Sequence, residues 1–177
     1  MIPIMKYVLV CILLIFVIYT DTKSYSVKNS VILFFAAAGL IVNCVELGVT
    51  GLVNWLMGIS LPILVLFVLF ILRMLGAGDI KLIGVIGGLL GLDFLMKSSL
   101  YMLIAAGVMA LMKMLIERNL IIRLKHFFNF IRNIIINRQI GIYDQLNKED
   151  KSHVIRLSYA IGAGTIYQML FELKILG

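Results

Sequence analysis

The sequence predicts an all-α fold, a polytopic membrane bundle of about six transmembrane helices. Of its 177 residues, 62% are apolar and only 14% are charged, and the mean hydropathy is +1.08. Soluble domains carry about 45–50% apolar and about 25% charged residues, so the composition excludes a soluble globular domain and a disordered chain. A spanning helix takes about 20 residues, so six of them leave room for one domain only, residues 1–177.

Six apolar runs predict the helices. In chain order they are Ile4–Thr20, Asn29–Val45, Leu52–Leu72, Gly78–Leu92, Ser98–Ile116 and Leu157–Phe171. Short charged or glycine-containing turns separate the runs, except for one long polar segment, residues 117–156. No small-residue cleavage site follows the first run, so we expect it to be a helix of the bundle and not a removable signal peptide.

The fourth run is the weakest span. Its uncharged part, Leu82–Leu92, has eleven residues, which cover about 16 Å of a hydrocarbon core roughly 30 Å thick. If it crosses the bilayer, Asp79 and Lys81 must lie at membrane depth or in a wet cavity. Four glycines in this run permit close approach of neighbouring helices, which predicts a central helix that does not face lipid: Gly84, Gly87, Gly88 and Gly91.

The basic residues predict the orientation of the chain, because positively charged loops are retained in the cytoplasm. Of 16 Lys and Arg residues, 12 fall in or beside the first, third and fifth connections, which places both termini outside. The net charge of +7 therefore reflects topology, and we expect no nucleic-acid partner. The 12 residues are Lys23, Lys28, Arg73, Lys81, Arg118, Arg123, Lys125, Arg132, Arg138, Lys148, Lys151 and Arg156.

The long polar segment, residues 117–156, contains a predicted basic amphipathic helix. Its apolar residues recur at helical spacing between Leu120 and Ile135, and basic residues occupy the opposite side. Such a helix suits the cytoplasmic surface of the membrane, with anionic lipid headgroups as partners of residues 118–138. It either packs on the bundle and fixes the topology, or it docks a substrate or partner.

Two acids stand apart from the other seven, which fall at the outer ends of spans or in the long polar segment. Asp21 closes the first span and Asp79 opens the fourth, so the two share a depth. An intramembrane acid is a functional candidate, because it costs about 2.5–3.5 kcal/mol at a helix centre. Each acid also has a structural interpretation, Asp21 in headgroup water and Asp79 at a helix N-terminus paired with Lys81.

A folded bundle could bring the two carboxylates face to face. At about 4 Å they would repel by around 4 kcal/mol at an effective dielectric constant of 20, so one would hold a proton while the other stays ionised. The ionised partner can then activate a water molecule and the protonated partner can protonate a carbonyl or a leaving amine. This is the chemistry of an aspartic protease.

The residues around both acids carry a family resemblance. Segment 76–82 reads Gly-Ala-Gly-Asp-Ile-Lys-Leu, in which Gly76 and Gly78 leave space for an extended peptide or a close-packed backbone beside the carboxylate of Asp79. It resembles the G-x-G-D motif of intramembrane aspartyl proteases, and its Ile-Lys-Leu continuation is similar to the prepilin peptidase branch. Asn29 follows Asp21 by eight residues, which resembles the spacing from that family's other aspartate to its Ile-Pro-Asn element, with Lys28 in place of the proline.

A third segment resembles the same family. Residues 158–164, Ser-Tyr-Ala-Ile-Gly-Ala-Gly, are similar to its Pro-Tyr-Ala segment and later glycine, with Ser158 in place of the proline. The resemblance extends from about residue 7 to residue 164, outside the 117–156 segment.

The resemblance implies a prepilin peptidase, an aspartic-type endopeptidase that removes the leader of type IV pilin-like precursors at the cytoplasmic face of the cell membrane. It implies Asp21 and Asp79 as catalytic residues, with Gly76, Gly78, Lys81 and Asn29 shaping the site. We expect no metal and no cofactor. The expected partners are a pilin-like precursor and the pilus or secretion assembly machinery. Cys11 and Cys44 have no thiol partner nearby in sequence, so we expect a short form without the N-methyltransferase region of larger members.

Three other functions stay open at this point. A small transporter or channel could line an ion path with Asp21, Asp79 and Lys81, because glycine-rich broken helices are typical of transporter sites. Against this, the chain shows no internal repeat. A catalytically silent assembly factor would need no acid pair. A signal-peptide or presenilin-like protease shares G-x-G-D but lacks the Asp21 to Asn29 spacing.

Overall fold

A computed structural model of the chain describes residues 2–24, 28–72, 74–116 and 156–176. Within these ranges all regular secondary structure is α-helical, which confirms the predicted fold class. The described residues form six helices: α1 (Ile2–Ser24), α2 (Asn29–Leu47), α3 (Val49–Ile71), α4 (Ala77–Leu90), α5 (Leu92–Ile116) and α6 (Leu157–Leu176). The predicted amphipathic insert lies outside the described residues, apart from Arg156.

Four of the six described helices are long and apolar enough to cross a membrane, by length and composition: α1, α2, α3 and α5. Large apolar side chains such as Leu64 and Leu103 are exposed on the outside of the bundle, where lipid would cover them. The chain is therefore a membrane protein. With 14 residues, α4 is about 21 Å long, less than the roughly 30 Å of a hydrocarbon core.

Helix α4 lies at the centre of the bundle and packs against each of the other five described helices. Residues 84–89 are all buried, and Leu82, Ile86 and Leu89 are fully enclosed. Its glycines leave little side chain between α4 and its neighbours, so these helices can pack closely around it, which explains this position. The prediction of a central, glycine-rich fourth helix is confirmed.

Glycines allow α3 and α4 to approach at backbone distance. A Cβ atom built on Gly58 would lie closer than 3.0 Å to the carbonyl oxygen of Gly87, and one on Gly87 would meet the carbonyl oxygen of Gly58 in the same way. Gly84 and Gly88 face Ile59 of the same neighbour. The prediction was wrong for Gly91, which has a φ of +90°, caps α4 and has open space around it.

The turns between α2 and α3 and between α4 and α5 are shorter than the sequence predicted, because a single glycine makes each of them. Gly48, with a φ of +60°, separates α2 from α3, and Gly91 separates α4 from α5. Helix α5 consequently starts at Leu92 and not at Ser98, so Asp93 belongs to its first turn. The charge of Asp93 had suggested a turn, but a carboxylate is favourable in the first turn of a helix.

A polar network joins α1, α2 and α4 near the C-terminal end of α4. The buried Asn43 side chain donates hydrogen bonds to the carbonyl oxygens of Gly39 (2.8 Å) and Gly88 (3.0 Å). Its Oδ1 atom accepts a hydrogen bond of 2.9 Å from the ammonium group of Lys6, which also pairs with Glu46. A buried amide group requires hydrogen-bond partners, and Asn43 finds one of them on α4. The network therefore holds the C-terminal end of α4 against its neighbours.

Replacing Gly58 by Ala should lower the stability of the bundle, because the added methyl group would overlap the backbone of α4. Overpacking of this kind costs typically about 1–3 kcal/mol. Gly107→Ala in α5 is the matched control, since nothing lies within 4 Å of a Cβ at Gly107. We expect a lower Tm in detergent for Gly58→Ala and an unchanged or higher Tm for Gly107→Ala. Equal Tm values would contradict the close contact of α3 with α4.

Candidate active site

Asp21 lies in the last turn of α1, where its half-buried carboxylate meets the start of α6. The hydroxyl group of Ser158 donates a hydrogen bond to Oδ2 of Asp21. Ser158 is 1% exposed and belongs to the first turn of α6. A side chain 137 residues away in the sequence therefore holds one oxygen of this carboxylate.

A second hydrogen bond joins the same two helix ends. The hydroxyl groups of Thr22 and Tyr159 are 2.9 Å apart. Thr22 also donates to the carbonyl oxygen of Ile18 within α1, at 2.6 Å. Consecutive residues of α1 thus contact consecutive residues of α6, which fixes the register of the two turns.

Asp79 is the third residue of α4, and its carboxylate turns back to the start of its own helix. Gly76 is the N-cap residue, with φ −75° and ψ 145°, and its backbone N–H donates to the carboxylate of Asp79. This is the carboxylate half of a capping box, in which an acid at N3 satisfies the N-cap amide. The positive end of the helix dipole favours a negative charge at this position.

The structure brings the two acids together. The carboxyl groups of Asp21 and Asp79 are close enough to interact electrostatically, at the end of the bundle where α1 and α4 pack together. Two carboxyl groups that lie near each other can act on one water molecule, one as a base and the other as an acid. Within the described residues, no group of three His, Cys, Asp or Glu side chains could hold a metal ion.

Lys81 and Asn29 contact each other. The ammonium group of Lys81 donates a hydrogen bond of 3.0 Å to Oδ1 of Asn29, and both side chains are exposed. In the part of the chain that the structure describes, Lys81 forms no ion pair with Asp79, so the pairing considered from the sequence is wrong. Lys81 instead joins the start of α4 to the start of α2, beside the acids.

The two glycines before Asp79 differ in their surroundings. A Cβ atom on Gly76 would lie 3.1 Å from Oδ2 of Asp79, so the glycine leaves room for this carboxylate itself. Gly78 is half-buried and is the second residue of α4. The sequence predicted room at Gly76 for an extended peptide or a close-packed backbone, and the nearest side chain to Gly76 in the fold is that of Asp79.

Ser158, Thr22 and Tyr159 were given no role from the sequence, although the 158–164 segment was singled out. The family resemblance of residues 158–164 indicated that this segment matters. It could not indicate which of its side chains faces α1. Only the packing of α6 shows that Ser158 points at Asp21 and Tyr159 at Thr22.

Comparison with known families gives one match. A family model described as the type IV leader peptidase family matches residues 8–115, which is 108 of the 177 residues. The matched range contains all six of the site residues predicted from the sequence, and it ends before α6 begins. No curated protein and no solved structure matches the chain significantly.

Replacing Gly76 by Ala should displace the carboxylate of Asp79, because the methyl group would press on Oδ2. A misplacement of about 1 Å can cost a reaction on the order of 100-fold, so we expect roughly 10- to 100-fold slower peptide-bond cleavage. The measurement is the rate of leader removal from a precursor protein in detergent micelles, with Tm recorded in parallel. Gly107→Ala serves as the control, and an unimpaired Gly76→Ala variant would argue against a role for this contact.

Proposed function

The chain belongs to the type IV leader peptidase family, and on this premise we propose that it is a membrane aspartic endopeptidase with Asp21 and Asp79 as its catalytic pair. The substrate would be a type IV pilin-like precursor, which is cut at the junction between its leader and its apolar helix. The observation that carries this proposal is the proximity of the two carboxyl groups at one end of α1 and α4.

The pair would activate one water molecule. The ionised carboxylate takes a proton from the water molecule while the water oxygen attacks the scissile carbonyl carbon. The protonated partner gives its proton to the carbonyl oxygen. Collapse of the resulting diol breaks the C–N bond, and a proton passes to the departing amine. The proton belongs to the pair, so neither acid is assigned as the base.

The surroundings of the acids suit a peptide that approaches from the membrane edge. Gly76, Ala77 and Lys81 are exposed at this end of the bundle, so water and an extended chain could reach the carboxylates. The peptide must be extended there, because a helix encloses its own amides and holds their carbonyl groups in hydrogen bonds. The apolar part of the precursor would lie along the lipid-facing side of the helices.

The cytoplasmic face is supported by charge. Lys23, Lys28 and Lys81 lie at the same end of the bundle as Asp21 and Asp79. Positively charged residues are retained on the cytoplasmic side, so the acids would lie at the cytoplasmic face of the cell membrane. Anionic lipids and the pilus or secretion assembly machinery are the further partners that we propose.

The family assignment favours a peptidase over the transporter and the assembly factor considered from the sequence. A transporter would need its acids along a path through the membrane. Asp21 and Asp79 instead share one end of the bundle, and the outer end of α4 is occupied by the Asn43 network.

Asp21→Asn and Asp79→Asn should each abolish leader removal, because the amide can neither accept the proton of water nor supply one. General acid–base catalysis contributes about 100- to 10,000-fold, so we expect at least a 100-fold loss. The measurement is cleavage of a purified pilin-type precursor by membranes that contain each variant at equal amounts.

Asp93→Asn is the matched control for both variants. Asp93 is also an acid in the first turn of a helix, but it is exposed at the outer end of α5. The Asp93→Asn variant should cleave the precursor at the rate of the unmodified protein. Undiminished cleavage by either Asp21→Asn or Asp79→Asn would contradict the catalytic pair.

The proposed orientation can be tested by cysteine labelling in a chain in which Cys11 and Cys44 are replaced by Ala. Lys28→Cys lies at the acid end and Val49→Cys at the outer end, and both positions are exposed. A membrane-impermeant maleimide added to intact cells should label Val49→Cys and leave Lys28→Cys unlabelled until the membrane is opened. The reverse pattern would place the acids outside the cell.

A further inference from the structure

We infer that Ser158 is a positioning residue for Asp21, so that the last described helix, α6, completes the candidate active site. The inference rests on the proposed function, because it gives Ser158 a part in the reaction of the acid pair. It concerns a residue outside the range that matches the family, which ends at residue 115.

The direction of the Ser158 hydrogen bond is the first argument. Buried hydroxyl groups in helices commonly donate to a carbonyl oxygen of the preceding turn. Ser98 donates to Leu95 in this way at 3.0 Å, and Thr165 donates to Ile161 at 2.7 Å. Ser158 is as deeply buried but is the second residue of α6, with no preceding turn of its own helix, and its hydroxyl group donates across the bundle to a carboxylate of α1.

The choice of partner is the second argument. A carboxyl oxygen that accepts a hydrogen bond from a buried hydroxyl group cannot turn away without leaving that hydroxyl group unpaired, so the bond holds the carboxyl plane in one orientation. It occupies Oδ2 of Asp21. In the proposed reaction, the other oxygen, Oδ1, would serve the water molecule and Asp79.

The rigidity of α6 is the third argument. A Cβ atom on Gly164 would lie closer than 3.0 Å to the backbone nitrogen of Met102, so α6 packs on α5 at backbone distance. The rings of Tyr101 and Tyr167 pack with centroids 4.5 Å apart along the same interface. Ser158 therefore projects from a helix that is fixed by its neighbour, and the distance from its hydroxyl group to Asp21 does not depend on a loop.

The test compares Ser158→Ala, Ser158→Thr and Ser158→Cys by steady-state cleavage of a pilin-type precursor in micelles. Losing this hydrogen bond should lower kcat by roughly 10- to 100-fold in Ser158→Ala and leave KM within about 2-fold. Thr keeps the hydroxyl group and Cys is a weaker donor, so kcat should fall in the order Ser, Thr, Cys, Ala.

The matched control is Ser98→Ala, which removes an equally buried hydroxyl group bonded within its own helix. It should retain the kcat of the unmodified protein. A role in packing alone would lower Tm and would not follow donor strength, so kcat values that follow side-chain volume would overturn the inference. Unchanged kcat in Ser158→Ala would overturn it as well.

Asp21→Asn, measured in the same assay, separates a failure of the acid pair from a failure of the role of Ser158. If Asp21→Asn is inactive and Ser158→Ala is fully active, the acid pair stands and the role of Ser158 is overturned. If Asp21→Asn still cleaves the precursor, the proposed function fails and the inference fails with it.

Discussion

The enclosure of α4 is the constraint on which the rest of the structure depends. This helix is too short to span a bilayer alone and is surrounded by the five other described helices. Its backbone contacts α3 through Gly58 and Gly87, where no larger side chain fits. Such a contact allows little sliding of one helix along the other, because every displacement brings a side chain into the place of a glycine. The depth of Asp79 in the bundle is therefore set by packing elsewhere on α4.

Polar contacts hold α4 at both of its ends. At its C-terminal end, Asn43 of α2 donates to the carbonyl oxygen of Gly88, and at its N-terminal end Lys81 donates to Asn29 of the same α2. Interhelical hydrogen bonds in membranes contribute about 0.6 kcal/mol on average, which is modest for stability. Their value here is geometric, since two fixed points along one neighbour define both the position and the rotation of α4.

The two acids are oriented by different means. Asp79 is held by the amide of Gly76, three residues earlier, so its orientation is a local property of a helix start. Asp21 is held by Ser158, from the far end of the chain. A substitution in α6 would therefore disturb one acid and leave the other in place, which makes the pair experimentally separable.

The sequence alone determined the helices and the membrane environment, and it singled out Asp21 and Asp79 as the candidate pair. Apolar runs and scarce charges suffice for these, because hydrocarbon cannot solvate a backbone or an ion and so restricts what a span can contain. Turn lengths were predicted less well. A single glycine with positive φ makes the turn at Gly48 and at Gly91, where the sequence predicted longer turns. Which side chain meets which acid was decided only by the tertiary structure. Ser158 contacts Asp21 and Lys81 contacts Asn29 because close packing of glycines and apolar faces rotates each helix to one orientation.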